Sequence, residues 1–358
     1  MKSDSTLNIS GKNIGPGHKT YFIADIAANH DGDLSRAKEL IYLCAEAGAD
    51  AAKFQHFQAE TIVSAKGFND MGNKQSHQSK WKKSVVEVYK EASVNLNWTE
   101  ELKKTCEQVG IPFFTTPYSL ELVDELDPYV PAYKIGSGDI TWRDMVEKVA
   151  SKNKPYFLAC GASNMIEVKD AVDWALAINS QFGLMQCNTN YTADLENFKY
   201  IQLNVLKTLR EGYPDLVLGL SDHTSQHATV LGAVSLGASM IEKHFTDDNS
   251  RDGPDHGFSM DPTAWKEMVD RTRELELSLG DGEKKVEFNE LETVVVQRRA
   301  IRANKKLITG EVIKDGDFIP LRPCPDDAVS PAQMRDIIGS VLKRDIEQGD
   351  YLREGELD

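Results

Sequence analysis

The sequence predicts an α/β protein: a closed (β/α)₈ barrel, or TIM barrel, followed by a small β-rich C-terminal domain. Eight short apolar runs alternate with segments whose apolar residues recur at helical spacing. These eight units occupy about 260 residues, close to the ~250 residues typical of such a barrel. No G-x-G-x-x-G turn follows the first run, which disfavours the open doubly wound sheet, the alternative architecture.

The predicted strands are short apolar runs bounded by turn residues. They comprise residues 21–25, 51–55, 112–116, 132–136, 155–159, 183–187, 216–220 and 239–241. The clearest amphipathic helices comprise residues 34–47, 99–109, 165–178 and 263–279. Residues 67–94 are polar and interrupt the alternation, so we predict a long loop over the barrel mouth that acts as a lid or contacts substrate.

Changes of composition divide the chain into four predicted parts. Residues 1–20 are a polar N-terminal extension, and residues 21–282 form the barrel. Residues 283–297 are a linker that follows a glycine-rich turn. Residues 298–358 carry short β-like runs separated by glycines, which predicts a small second domain.

Composition and charge restrict the function classes. The 358-residue chain has a formal net charge of −15, which disfavours nucleic acid and anionic membrane surfaces as partners. Its five cysteines show no C-x-x-C spacing and indicate neither a disulfide framework nor a zinc ribbon. No apolar signal core begins the chain, and no apolar run approaches the ~20 residues that span a bilayer. We therefore expect a cytoplasmic protein that binds neither nucleic acid nor membranes.

Two histidines at neighbouring strand ends predict a metal site. His223 and His244 each follow an apolar run, and the catalytic groups of a barrel lie at the carboxyl ends of its strands. A single strand histidine is more often a satisfied core residue, but two at one level favour a shared metal ion. We interpret Asp222 and Glu242 as hydrogen-bond acceptors for the imidazoles. The residues alone do not choose among Mn, Fe, Co and Zn.

Two strand lysines predict an anion site. Lys53 and Lys134 lie inside apolar runs, and an inward-facing lysine is costly unless it has an anionic partner. That partner is either a carboxylate of the barrel or a bound anion. Hydroxyl groups of Thr116, Ser137 and Ser221 at other strand ends would complete a cradle for phosphate or carboxylate.

Three further polar segments adjoin strand ends. Asp25 ends the first strand, and residues 29–32 continue into a turn that also caps the following helix. Residues 187–191 would hydrogen-bond a polyhydroxylated ligand, or they form a simple turn. In residues 251–256, a Gly-Pro pair would hold Asp255 over the barrel mouth for binding or proton transfer, a solvated turn being the alternative.

Together these motifs resemble the sialic acid synthase family, in the same order along nearly the whole chain. The matching segments are FIAD (22–25), NHDG (29–32), KFQ (53–55), TPY (116–118), YKIGSG (133–138), SDHT (221–224), EKHFT (242–246) and GPDH (253–256). Residues 298–358 resemble the C-terminal antifreeze-like (SAF) domain of that family.

The resemblance implies a transferase that condenses phosphoenolpyruvate with an N-acetylmannosamine-type aldehyde, giving a nine-carbon 2-keto sugar acid and phosphate. It implies a divalent metal held by His223 and His244, Mn²⁺ in the first place, with Mg²⁺ or Co²⁺ as alternatives. The residues that would hold phosphoenolpyruvate are Lys53, Thr116, Lys134, Ser137 and Ser221.

For the sugar, the resemblance implies contacts from Gln55, Tyr191 and Asp255. Arg322 matches an arginine of the SAF domain that binds the N-acyl group in a neighbouring subunit's barrel, which implies a domain-swapped homodimer. The catalytic set is therefore Asp25, Lys53, His223, His244 and Asp255.

Some positions depart from the family pattern. Asp25 stands where the family usually has Glu. In residues 158–163 the hydroxyls of an L-S-T-G-M-S stretch are reduced to Ser163, and Thr189 stands in a segment that differs from the family's C-T-S-x-Y-P. We take Ser163 and Thr189 as substrate-binding candidates. These changes leave the N-acyl sugar unidentified.

Other functions remain open from the sequence. A legionaminic or pseudaminic acid synthase would use the same chemistry on a different aldehyde. A Schiff-base pyruvate aldolase would use Lys53 or Lys134 as a nucleophile. A non-catalytic sugar-binding protein on a degenerate synthase scaffold would explain the hydroxyls lost from residues 158–163.

Overall fold

The structure is a computed structural model that describes residues 5–71, 81, 83–191 and 193–358. The chain divides into two compact units, Met1–Gly280 and Asp281–Asp358, called here the barrel unit and the C-terminal unit. In the described part, no helix combines the length and apolar character needed to cross a membrane.

The strands of the described chain are short and mostly buried. They are β1 (Leu7–Ile9), β2 (Lys12–Ile14), β3 (Tyr21–Asp25), β4 (Ala51–His56), β5 (Phe113–Pro117), β6 (Tyr133–Ile135), β7 (Tyr156–Ala159), β8 (Phe182–Cys187), β9 (Val217–Asp222), β10 (Met240–His244), β11 (Ala300–Ala303) and β12 (Phe318–Leu321).

Helices follow most of the barrel strands. They are α1 (Leu34–Glu46), α2 (Ala59–Ile62), α3 (Ala65–Met71), α4 (Val85–Ala92), α5 (Thr99–Val109), α6 (Leu120–Leu126), α7 (Arg143–Ala150), α8 (Met165–Leu176), α9 (Val205–Gly212), α10 (Ala228–Ser235), α11 (Pro262–Leu279) and α12 (Leu291–Gln297). Local sequence defines their ends: Asp33 accepts hydrogen bonds from the first-turn amides of α1, and Gly110 ends α5 with φ of 77°.

Strands β3 to β10 form a closed parallel barrel in which β10 returns to pair with β3. The predicted (β/α)₈ barrel is therefore confirmed. Alternation along β4 directs Lys53 into the barrel and His56 outward, where the His56 ring contacts the hydroxyls of Thr115 and Thr99. Lys53 and His56 are three residues apart on one strand, so the strand period of two places them on opposite faces.

Two apolar layers surround the strands. One lies between barrel and helices, and includes Phe22, Phe54 and Trp265. The other fills the barrel interior around Phe114 and Phe157. The carboxyl ends of the strands, which lie beyond this interior core, carry the polar residues.

The N-terminal extension contains a strand pair that its sequence does not predict. Strands β1 and β2 form an antiparallel hairpin, and Leu7, Ile9 and Ile14 are buried in the same cluster as Tyr21 of β3. The apolar alternation extends over only three residues in each strand, which is too short to stand out in the sequence.

The segment predicted as a long loop, residues 67–94, is partly helical. Its described residues include the end of α3 and the whole of α4, which begins with a capping box formed by Ser84 and Glu87. Residues 72–80 and 82 lie outside the described residues, so the predicted lid is described only in part.

The C-terminal unit is β-rich, as predicted. Strands β11 and β12 pair antiparallel, and isolated β-bridges join other segments of this unit. Its own core includes Ile301, Phe318 and Leu352. The range predicted as a linker, residues 283–297, contains α12 and so is not wholly extended.

Candidate active site

A cluster of buried ion pairs lies inside the barrel. The Lys53 ammonium donates to Asp25, and the Lys134 ammonium donates to Glu242 at 2.8 Å. The second oxygen of Glu242 lies 3.8 Å from the Lys53 nitrogen, so the two pairs form one cluster. All four side chains are at most 6% exposed. The lysines therefore face barrel carboxylates, the first of the two partners considered from the sequence.

These pairs hold the cluster in its ionised form. Burial lowers the pKa of Lys53, but the Asp25 and Glu242 carboxylates outweigh burial and raise that pKa above its ordinary value. Burial would likewise raise the pKa of Glu242, yet Lys134 and Lys53 lower it to about 2. The Lys53 ammonium and the Glu242 carboxylate are thus both held in their charged forms.

One of the three predicted hydroxyl groups contacts this cluster directly, and the other two lie at neighbouring strand ends. Ser221 donates to Glu242 at 3.0 Å, and Ser137 accepts from the Gly161 amide at 3.0 Å. Thr116 is buried and alternates with Thr115, which faces the helices. The structure therefore brings Thr116, Ser137 and Ser221 to the same end of the barrel as the lysines.

The two predicted metal-binding histidines lie side by side. The ring centroids of His223 and His244 are 5.4 Å apart. Burial lowers the pKa of His244, only partly opposed by Asp25 and Asp255, so its imidazole is neutral near neutral pH. Burial also lowers the pKa of His223, but contact with Cys187 and the Asn188 carbonyl outweighs burial and raises it.

One predicted part of this site is wrong. Asp222 and Glu242 do not accept hydrogen bonds from the imidazoles: Asp222 faces outward and pairs with Lys243, while Glu242 pairs with Lys134 inside the barrel. The imidazole of His223 instead contacts the Asn188 carbonyl through Nδ1 at 2.8 Å. Neighbouring strand residues point to opposite faces, and this alternation separates Asp222 from the His223 ring.

The histidine pair fits a divalent metal with open coordination positions. Since Nδ1 of His223 faces a carbonyl, its Nε2 would serve as the ligand atom. Nδ1 of His244 is buried without a hydrogen-bond partner in the described part of the chain. Among those residues no cluster of three or more His, Cys, Asp or Glu side chains converges, so the protein would supply two imidazoles and leave other positions to water or substrate.

A cavity of about 370 Å³ opens beside the histidines. Five of the predicted site residues line it: Gln55, Ser137, Tyr191, His244 and Asp255. Gln55 links this cavity to the ion cluster, because its amide donates to Asp25 at 2.8 Å. The nearest oxygen of Asp255 lies 3.8 Å from His244, and the Tyr191 ring centroid is 4.3 Å from that of His223.

Three predicted substrate contacts lie elsewhere. Ser163 donates to the Cys160 carbonyl and lines a separate cavity after β7 and β8. The Thr189 side chain packs against Gly161: a Cβ added to Gly161 would lie 2.7 Å from the Thr189 methyl carbon. Arg322 is exposed in the C-terminal unit. The cavity beside the histidines is therefore lined without Ser163, Thr189 or Arg322.

Two residues of the cavity region were not predicted from the sequence. Phe258 packs against His244 with centroids 4.8 Å apart, and no pattern in the sequence distinguishes it from a core aromatic. Asp139 lines the cavity, and burial raises its pKa to about 6. Its position two residues after Ser137 is the one signal that would have identified it.

The loop that carries Asp255 is anchored by buried polar contacts. His256 is fully buried, and its ring contacts Asp31 at 2.9 Å and the Thr246 hydroxyl at 2.7 Å. A Cβ on Gly253 would lie 2.6 Å from Cδ2 of His256, so this loop requires glycine there. Asp255 itself accepts a hydrogen bond from the Ala28 amide. The predicted shaped loop is thus a closed, anchored turn beside the cavity.

Comparisons with known proteins agree on one family. The sequence model of the NeuB family matches residues 40–284. An N,N'-diacetyllegionaminic acid synthase of Legionella pneumophila is 34% identical over 97% of this chain and 98% of its own length. An enzyme of the same name from Campylobacter jejuni is 32% identical over 94% of this chain and 99% of its own.

A solved structure extends this similarity to three dimensions. The N-acetylneuraminic acid synthetase of Leptospira borgpetersenii, crystallised with citrate, superposes with a TM-score of 0.72 at 28% identity. The superposition covers 82% of this chain and 96% of that chain.

Proposed function

This chain belongs to the NeuB family, and we propose that it condenses phosphoenolpyruvate with the open-chain aldehyde of an N-acetylmannosamine-type sugar. The products would be a nine-carbon 2-keto sugar acid and phosphate. Family membership bears out the resemblance to sialic acid synthases drawn from the motifs. The observation that supports the reaction most directly is the buried lysine cluster next to two imidazoles, which offers one site for an anion and one for a metal.

The lysine cluster would bind phosphoenolpyruvate. Lys53 and Lys134 carry positive charge deep in the barrel, and an incoming phosphate and carboxylate would compete with Asp25 and Glu242 for them. The hydroxyls of Thr116, Ser137 and Ser221 would supply the remaining donors. Their burial excludes bulk water and strengthens these interactions.

The histidine pair would act on the aldehyde. His223 and His244 would hold a divalent metal, with Mn²⁺ as our choice, which would supply Lewis-acid polarisation of the aldehyde oxygen. C3 of the phosphoenolpyruvate held by the lysine cluster would attack the carbonyl carbon. Asp25, which lies 3.7 Å from His244, is the carboxylate that we propose for proton transfer when water adds to C2. The resulting tetrahedral carbon then loses phosphate. Gln55, Tyr191 and Asp255 would orient the sugar.

Phosphate release tests the metal role. We expect phosphate release from phosphoenolpyruvate plus N-acetylmannosamine to fall, in His223→Ala and His244→Ala, to the level of the metal-free wild type. In the wild type, chelation should abolish phosphate release and added Mn²⁺ should restore it. His18→Ala, which removes an exposed histidine, is the matched control. Full activity in the two site variants would falsify the proposed metal role.

The electrostatics of Lys53 argue against its use as the nucleophile of a Schiff-base aldolase. Such an enzyme needs a neutral amine, whereas the pKa of Lys53 is raised above its ordinary value by the carboxylates that outweigh its burial. We expect no covalent adduct after incubation with pyruvate and borohydride, measured by intact-protein mass. A trapped adduct would favour the aldolase. Sugar binding by calorimetry without any turnover would instead favour a non-catalytic protein.

Identity to relatives supports a second candidate for the sugar. The Legionella and Campylobacter enzymes named as N,N'-diacetyllegionaminic acid synthases are both more than 30% identical to this chain. A 6-deoxy-diacetamido sugar is therefore the alternative aldehyde. A phosphate-release screen of N-acetylmannosamine, its 6-phosphate and 6-deoxy-diacetamido sugars would distinguish these candidates by kcat/KM.

We also propose that the protein works as a domain-swapped homodimer with an SAF-type C-terminal domain, in which Arg322 binds the N-acyl group. Arg322 is exposed, as a residue that acts on another subunit must be. Mixing Arg322→Ala with His244→Ala subunits would restore activity in hybrid dimers. If hybrid dimers verified by mass recovered no activity, the domain swap would be rejected.

Ser163 and Thr189 remain proposed substrate contacts, and their alanine variants can be tested by phosphate release.

A further inference from the structure

A buried ion pair links β9 and β10 on the barrel's outer face. Asp222 precedes His223 and Lys243 precedes His244, and both paired side chains are 1% exposed. Because neighbouring strand residues point to opposite faces, this pair lies under the helices while Ser221 and Glu242 face the barrel interior. The two strands are therefore joined on both faces immediately before the histidines.

The lysine of this pair holds the chain on both sides of His223. The Lys243 ammonium donates to the Asp222 carboxylate and also to the carbonyl of Thr224. The hydroxyls of Thr224 and Thr229 donate to the same carboxylate oxygen at 2.8 and 2.7 Å. We call Asp222, Thr224, Thr229 and Lys243 the clamp. Every charged group in the clamp thus has hydrogen-bond partners.

The clamp acts where the strand pairing stops. Residues of β9 and β10 pair in parallel up to Asp222 opposite Lys243, and His223 lies one residue beyond the last paired position. Sheet hydrogen bonds between these strands therefore do not set the distance between the two imidazoles. The Lys243 contact with the Thr224 carbonyl ties the chain beyond His223 to β10.

Stability alone does not account for a buried ion pair. Apolar residues of similar volume are often as stabilising or more so, because removing two charges from water is costly. We propose that the clamp positions His223 and His244 at the separation required to bind one divalent cation. Asp222 and Lys243 are then positioning residues. This inference rests on the proposed metal role of the histidine pair.

The double variant Asp222→Asn/Lys243→Met tests the clamp. It preserves side-chain shape and leaves an amide oxygen to accept from the two threonine hydroxyls. It removes both charges, the bond to the Thr224 carbonyl and the acceptor for the Thr224 backbone amide. We expect Mn²⁺ binding to the metal-free protein, measured by calorimetry, to weaken by about tenfold or more. The urea midpoint should remain at or above that of the wild type. A structural role alone would lower stability and leave the affinity of the folded protein unchanged.

Controls separate this inference from the proposed function. Tyr156→Phe removes another buried hydrogen bond, to the Asn179 carbonyl, and should leave Mn²⁺ affinity unchanged. Should the double variant fail to fold, Thr229→Val, which removes one bond to Asp222, should still weaken Mn²⁺ binding measurably.

Unchanged Mn²⁺ affinity in a folded clamp variant would overturn the inference while leaving the proposed function intact. Two other results would instead overturn the metal role itself. One is a wild-type protein that does not bind Mn²⁺, and the other is Mn²⁺ binding that is unchanged in His244→Ala.

Discussion

Asp139 is expected to lower the stability of the folded protein at neutral pH. Its carboxylate lines the cavity, and its Oδ2 atom is buried without a hydrogen-bond partner in the described residues. Burial raises the pKa of Asp139 from its ordinary value of 3.8 to about 6, because the ionised form loses hydration there. Folding must therefore accommodate a poorly solvated charge at neutral pH.

The sign and size of this effect follow from proton linkage. The raised pKa means that the folded state binds the proton more tightly, so the cost of ionisation grows as pH rises from 3.8 and is complete above about pH 6. The shift corresponds to about 3 kcal/mol near pH 7.5 and to about 0.5 kcal/mol near pH 4. We expect Asp139→Asn, which keeps the shape but removes the charge, to raise the free energy of unfolding by these amounts.

Urea unfolding at a series of pH values, followed by tryptophan fluorescence, measures this difference. The matched control is Asp170→Asn, which removes an exposed aspartate on α8 and should change stability little at any pH. The expected result is a gain for Asp139→Asn that grows from acid to neutral pH. A gain independent of pH, or a loss at neutral pH, would refute the argument that burial of the charge destabilises the fold.

Three other substitutions should have distinct effects. Gly253→Ala places a Cβ 2.6 Å from the His256 ring, so we expect a loss of ~1–3 kcal/mol in urea unfolding and a higher KM for the sugar. Glu242→Gln leaves two buried lysines without their shared carboxylate and should cost ~3–5 kcal/mol; an unchanged urea midpoint would contradict this. Asp261→Ala removes the acceptor for an amide at the start of α11 and should lower the unfolding free energy by ~1 kcal/mol, with phosphate release unchanged.

Much of the barrel could be predicted because its strands are buried on both faces and appear as continuous apolar runs. The same period of two explains why Lys53 faces inward while His56, three residues later, faces outward. The hairpin of β1 and β2 could not be found this way, since each strand has three residues. A pattern needs several repeats before it exceeds the background of an ordinary sequence.

The site was predictable in its residue types but not in its pairings. Strand ends identified the lysines and histidines, yet the partner of a buried charge depends on the register between strands. Lys243 lies opposite Asp222 only because β9 and β10 pair in that register. Glu242 has the same parity as His244, but its partner is Lys134, 108 residues away in the chain. Sequence spacing carries no information about such distances.

Closure of the barrel by β10 against β3 also determines when the site exists during synthesis. Asn29, just after β3, bonds to the Phe245 carbonyl, 216 residues later in the chain. His244 stands opposite Asp25 in the same pairing. A nascent chain therefore contains the site residues of the early strands through most of translation. It acquires Glu242 and His244 only when residues 240–245 leave the ribosome and pair with β3. Until that moment Lys134 and Lys53 lack Glu242, and the buried ion cluster is incomplete.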